Sequence, residues 1–330
     1  MSDTFKALLL TQDDGKTVSN IQTLGNSDLP DGDVLLAVDY SSLNYKDGLA
    51  ITGKGKIVRQ WPLVPGIDLA GRVIESDNGD YQPGDTVILT GWSVGEKYWG
   101  GYSQRQRVQS KWLVPMPDGM TARQAMAIGT AGFTAMLCVM TLEEAGVTPD
   151  SGTVLVTGAT GGVGSIATAI LSKLGYTVAA VSGKPNAGDF LRQLGASEII
   201  EREEMNQPAR ALEGQRWAGG IDTVGSTVLA RLLAETSYNG CVAACGLAGG
   251  ADLPTTVMPF ILRNVSLRGV DSVMCPVPRR KQAWRRLVTD LPADALGEIG
   301  QVAGLEQLPE LAEAITNGQI RGRVIVDPNL

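Results

Sequence analysis

The 330-residue chain contains no histidine. That absence removes the usual neutral-pH base, every metal site with an imidazole ligand, and any Ser-His-Asp or Cys-His nucleophile. Cysteine is scarce. Cys138, Cys241, Cys245 and Cys275 have no CxxC spacing and leave long stretches uncrosslinked. They read as small buried hydrophobes in a reducing compartment, against a disulfide framework or zinc cluster. Positive charge is in deficit, with 28 Lys plus Arg against 35 Asp plus Glu and a formal net of -7, so nucleic acid is not an expected partner. No apolar run has the length expected of a bilayer span, and the opening MSDTFKALLL sets an acid before a short apolar run. We therefore expect no membrane association and a cytoplasmic location. No internal repeat or low-complexity tract stands out.

What is present is enough apolar content, 43%, for about two domains of ~150 residues each. Residues 4 to 10 and 33 to 40 read as strands around the turn-rich GNSDLPDGD. Further short strands are expected at 68 to 76 and 85 to 91. Crowded short strands without long helices indicate a barrel-like first domain over residues 1–124. The character then changes: residues 121 to 147 have helical apolar spacing interrupted near Gly129. From Gly152 the order is strand, glycine turn, helix, strand, helix, strand. It continues through strand 219 to 225, helix 226 to 236 and strand 240 to 246. This progression predicts an α/β, doubly wound Rossmann domain over residues 125–271. Residues 272–330 read as a proline-started helix, then a helix, turn and final strand.

The strand-to-helix turn carries Val156-Thr157-Gly158-Ala159-Thr160-Gly161-Gly162-Val163-Gly164. Small residues there let backbone amides approach a pyrophosphate at a helix N-terminus, which makes Thr160, Gly161, Gly162, Val163 and Gly164 cofactor-binding candidates. The motif is not a full GxGxxG, because Ala159 holds its first glycine position. The next strand ends in Ser182-Gly183-Lys184, where an NAD enzyme commonly places an acid against the ribose. Ser182 as donor, Lys184 as cation and Arg202 after the following strand favour a 2′-phosphate, hence NADPH over NADH.

Several blocks together resemble the medium-chain dehydrogenase/reductase superfamily, and within it the zinc-independent quinone oxidoreductase-like branch and its acrylyl-CoA reductase group. They are SSLNYKDGLAITGKG at 41 to 55, PLVPGIDLAGRV at 62 to 73, LTGWSVGEKYWGGYSQ at 89 to 104, TGATGGVGS at 157 to 165, CGLAGG at 245 to 250 and RNVSLRGVDSVM at 263 to 274. The resemblance implies a GroES-like catalytic β domain, an inserted Rossmann domain, a C-terminal segment returning to the catalytic domain, and an active site in the cleft. It implies no catalytic zinc, because Asn44 stands near the family's cysteine position and the Pro65-Gly66-Ile67-Asp68 block lacks its histidine. It implies Tyr45 as the active-site tyrosine, either orienting the thioester or nicotinamide or delivering the α-proton through water, and Asn44 as an amide donor near the cofactor. Leu247 and Ser272 fall on the nicotinamide-facing wall, and Asn317 in a closing loop. The implied reaction is NADPH-dependent reduction of acrylyl-CoA to propanoyl-CoA by a homodimer. The alternative is an NADPH quinone or enone oxidoreductase.

Lys46 and Asp47 read as a neighbouring charged pair at the cleft edge. Arg59, Arg105 and Arg107 are candidate guides for coenzyme A phosphates, with solubilising surface charge the commoner role. Arg279, Arg280, Lys281, Arg285 and Arg286 around Trp284 read as a solvated helix face with the tryptophan partly packed.

Overall fold

The computed structural model describes residues 3–292, 295, 300–320 and 322–330. The chain forms two compact units. The first is Met1–Thr130, Val273–Trp284 and Leu296–Leu330; the second is Ala131–Ser272 and Arg285–Ala295. Of the C-terminal stretch expected to return whole to the first domain, Arg285–Ala295 therefore lies with the second unit.

The first unit holds a seven-stranded sheet whose centre is Val34–Leu43, paired antiparallel with Asp68–Ser76 on one side and Arg323–Val326 on the other. The last strand thus closes against a strand nearly 300 residues earlier, with Val324 opposite Leu43. In the same unit Thr4–Asp13 pairs with Lys16–Gly25 in a hairpin of two ten-residue strands. That second strand was not legible in the apolar pattern, because Val18, Ile21 and Leu24 recur every three residues and much of the strand is exposed. The readable signal was the turn: Asp14 and Gly15 both take positive φ, 47° and 75°, as a two-residue hairpin turn of the primed type demands.

The second unit is a six-stranded parallel sheet in the order Glu198–Glu201, Val178–Ser182, Val154–Val156, Trp217–Asp222, Thr236–Ala244, Ser266–Gly269. The order reverses at Val154–Val156, the doubly wound arrangement in which ligands bind beyond the carboxyl ends of the strands. Val154–Val156 and Val178–Ser182 are buried throughout, which explains their near-continuous apolar sequences.

Two expectations need correction. The helix Ala122–Glu144 is long and apolar enough by composition to span a membrane, with a mean hydropathy of 1.8. However, 94% of that window is buried inside the protein, so it is a core helix. It kinks at Gly129, φ 52° and ψ -162°, as the interrupted spacing predicted. The helix Val277–Asp290 is not a solvated face: Trp284 and Arg280 are both fully buried. Arg280 donates to the carbonyl and hydroxyl of Thr90, each at 2.8 Å, and its guanidinium lies 5.1 Å from the Trp92 ring. Arg286 is bonded to Glu143 and Asp290. Only Lys281 and Arg285 of the cluster are exposed.

Replacing Trp284 with Ala should cost about 3–5 kcal/mol of stability, as emptied aromatic core sites do. Urea denaturation measures this, and a loss below about 1 kcal/mol would return Trp284 to the surface.

Candidate active site

In the first unit the site begins at the end of strand Val34–Leu43, where Asn44 caps the helix Tyr45–Thr52. The Asn44 amide N–H donates to Asp47 Oδ2 at 2.9 Å, and the Ile67 N–H donates to Asp47 Oδ1 at 3.0 Å. Asp47 is thus the N3 carboxylate of a capping box and is buried, whereas Lys46 turns away to Glu96 Oε1 at 2.8 Å. The two are therefore not a charged pair at the edge of a cleft. The NxxD spacing was the signal that sequence reading passed over.

Beneath the cap lies a buried polar network. Asp68 Oδ2 accepts from Ser42 Oγ at 2.6 Å, Asn44 Nδ2 at 2.9 Å and the Thr130 N–H at 2.8 Å. The Thr130 hydroxyl donates to Asp68 Oδ1. Arg323, 3% exposed, supplies the counter-charge 3.9 Å away. Its fork donates to Asn44 Oδ1 and Ser42 Oγ, each at 3.0 Å, and to the Ala127 carbonyl at 3.1 Å. Gly129 is forced by this packing: a Cβ there would stand 2.7 Å from both Asp68 Oδ2 and Ser42 Oγ, at a positive φ. Asn44 is consequently saturated inside the protein, its Nδ2 shared among Asp68, Asp47 and Ser42.

This donor set does not fit a catalytic zinc. Ile67 is an apolar buried side chain, and both Asp68 oxygens already face protein donors and a guanidinium, a cationic field that opposes a second cation.

Tyr45 is the opposite case. As the first helical residue it is 53% exposed, and its hydroxyl makes no hydrogen bond to a described residue. Asn317 ends the helix Leu308–Thr316, which packs on the Tyr45 helix so closely that a Cβ on Gly48 would stand 2.5 Å from Ile315. Asn317 is exposed in the same unit as Tyr45.

In the second unit the expected residues gather at the carboxyl ends of the parallel strands. The turn after Val154–Val156 leads into the helix Gly162–Lys173, capped by the exposed Gly161. The first amides of a helix lack internal partners, which leaves this turn able to hold a phosphate. A Cβ on Gly164 would come within 2.5 Å of the Gly158 carbonyl, so glycine there permits the tight approach of helix to strand. Buried Asp222, also missed by sequence reading, pins the turn by accepting from Thr157 Oγ1 at 2.7 Å and from the Gly225 N–H at 2.8 Å. Burial pushes its carboxyl up, against the pull of those donors.

Ser182 accepts from the Lys184 N–H at 3.1 Å and lies 3.5 Å from the Thr160 hydroxyl. The Arg202 side chain covers Gly183, where a Cβ would meet its Nε at 2.6 Å. Thr160, Ser182, Gly183, Lys184 and Arg202 are thus brought together, and this open, donor-rich cradle fits a phosphorylated dinucleotide. Leu247 projects from the turn after Thr236–Ala244, 67% exposed. Ser272, half-buried, follows the edge strand Ser266–Gly269.

Sequence comparison matches residues 30–118 to the alcohol dehydrogenase GroES-like domain and residues 162–290 to the zinc-binding dehydrogenase family. The probable acrylyl-CoA reductase AcuI of Escherichia coli (strain K12) is 59% identical, over 98% of this chain and 100% of that one. The acrylyl-CoA reductase AcuI of Ruegeria pomeroyi is 55% identical, over 98% and 99%. The structure of E. coli K-12 YhdH with bound NADPH superposes with a TM-score of 0.96 at 59% identity, covering 98% and 100% of the two chains. One unit with a GroES-like match and another with a doubly wound nucleotide fold define the class, and the chain belongs to the medium-chain dehydrogenase/reductase superfamily. Within it the chain is similar over nearly its full length to the acrylyl-CoA reductases AcuI.

Asp47 gives the network a pH signature. Burial first, and the Asp68 charge second, push its carboxyl up to about 7, against hydrogen bonds from Asn44 and Ile67. Its folded value lies above the unfolded one, so the native state alone holds the proton between them. The resulting stabilisation is full at acid pH and fades as the pH rises through about 7. Relative to Asp47→Asn, wild-type stability should therefore fall from about pH 4 to about pH 7. Thermal melts across that range check it, and a relative rise would contradict the assignment.

Proposed function

We propose that this protein reduces a short 2-enoyl-CoA thioester, acrylyl-CoA to propanoyl-CoA, with NADPH as reductant. The observation that carries the cofactor choice is at the end of strand Val178–Ser182, where Ser182-Gly183-Lys184 stands in place of a ribose-binding acid and the Arg202 side chain covers Gly183. The names of the 59% and 55% identical relatives support the substrate.

NADPH, when bound, supplies the hydride that the β-carbon of the thioester receives. Thr160, Gly161, Gly162, Val163 and Gly164 hold the pyrophosphate by backbone amides, while Ser182, Gly183, Lys184 and Arg202 hold the 2′-phosphate. Leu247 offers an apolar surface to the nicotinamide ring, and Ser272 and Asn317 are assigned to the cofactor as polar groups. The Tyr45 hydroxyl, unengaged by any described residue, orients the thioester carbonyl and passes a proton toward the α-carbon through water. Asn44, whose amide is committed to Asp47, Asp68 and Arg323, acts as a positioning residue that fixes where Tyr45 begins its helix. Domain assignments follow as catalytic residues 1–124, NADPH-binding 125–271 and C-terminal 272–330.

We also propose a cytoplasmic homodimer. The edge strand Ser266–Gly269 and the exposed Val257, Ile261 and Leu262 just before it offer a second copy an apolar, hydrogen-bonding border.

With acrylyl-CoA as substrate, Lys184→Ala/Arg202→Ala should raise the KM for NADPH far more than that for NADH. Equal small changes would sink the 2′-phosphate assignment. Tyr45→Phe should lower acrylyl-CoA turnover by about 10²-fold or more while largely retaining NADPH affinity. Normal turnover in that variant would reject the proton role. Faster turnover of a quinone or free enone than of acrylyl-CoA by the wild-type enzyme would overturn the substrate.

A further inference from the structure

After the C-cap at Gly53 the chain leaves the Tyr45 helix as Lys54-Gly55-Lys56-Ile57-Val58-Arg59. Across residues 45 to 60 the cations are Lys46, Lys54, Lys56 and Arg59, and Asp47, the sole acid, is buried in the network below. A chain of net charge -7 therefore inverts its sign locally, on the unit that presents the exposed Tyr45. Two of these cations are already matched, Lys46 by Glu96 at 2.8 Å and Lys54 by Glu313 at 2.5 Å. Lys56 and Arg59 are exposed and make no ion pair with a described residue.

The fold brings a third cation to them. The Arg59 N–H donates to the Glu96 carbonyl at 2.8 Å, which sets the segment against Glu96-Lys97, and Lys97 is exposed there. Through the Glu96–Lys46 bridge this group is tied to the residue next to Tyr45.

We propose that Lys56, Arg59 and Lys97 form the subsite for the phosphates of the coenzyme A moiety, on the unit that presents Tyr45; this rests on the enoyl-CoA reading above and deepens it. A pyrophosphate and a 3′-phosphate call for several unmatched cations, with an arginine fork among them. The other arginines considered for this task lie elsewhere. Arg105 is bonded to Asn26 at 2.8 Å, and Arg107 lines a cavity with Asp31, Asp33, Glu75 and Asp77, where phosphate is repelled.

The test compares acrylyl-CoA with acrylyl-pantetheine, which lacks the nucleotide phosphates, in the full-length enzyme with saturating NADPH. The wild type should prefer the coenzyme A ester. In Lys56→Ala/Arg59→Ala the ratio of the two kcat/KM values should fall about tenfold or more, the loss falling on KM and growing smaller as salt is raised. Arg107→Ala should keep the wild-type ratio. An unchanged ratio in the double variant, or an equal fall in Arg107→Ala, would overturn the subsite. Calorimetric binding of desulfo-coenzyme A to the NADPH-saturated enzyme reads the same surface without turnover. Binding lost in the double variant supports the subsite even if acrylyl-CoA is not reduced, and binding retained there rejects it even if acrylyl-CoA is.

Discussion

The buried pair of Asp68 and Arg323 is the constraint on which the catalytic unit depends. Neither charge could be left alone at 0% and 3% exposure without a cost of several kcal/mol. The sequence meets that cost by convergence. Ser42 and Asn44 come from the central strand and its end, Thr130 from the kinked helix, and Arg323 from the closing strand. Four stretches of chain distant in sequence are thereby fixed to one point. The kink at Gly129 and the pairing of Val324 with Leu43 are geometric consequences of it.

The network also explains how a chain without histidine fixes the residues that lead into Tyr45. The Arg323 guanidinium supplies the local positive charge, and its hydrogen bond sets Asn44. Asn44 in turn decides where the helix starts, and Tyr45 follows as the first exposed residue. In the proposed reaction the chemistry is alignment and proton delivery, which suits reduction of an activated alkene because the thioester itself accommodates the developing charge.

Much of this was legible in the sequence, for identifiable reasons. The parallel strands read clearly because both faces are buried, and the glycine turn read clearly because helix and strand approach too closely for a Cβ at Gly164. The strand Lys16–Gly25 was hidden by its exposure, and the burial of Arg280 and Trp284 by a run of basic neighbours that looked solvated. Asp47, Asp68, Asp222 and Arg323 were missed as site residues for a common cause. Each is a charged group that depends on at least one partner distant in sequence, and the Asn44–Asp47 and Asp222–Gly225 spacings left local traces.

The most direct measurement of the central claim is a double-mutant cycle on Asp68→Asn and Arg323→Gln, read both as unfolding free energy and as turnover of acrylyl-CoA. The account predicts that each single change is strongly destabilising and that the double variant recovers part of the loss, a coupling of about 1.5–3 kcal/mol that reappears in turnover. Additive effects in both readouts would show that the pair does not hold the site together.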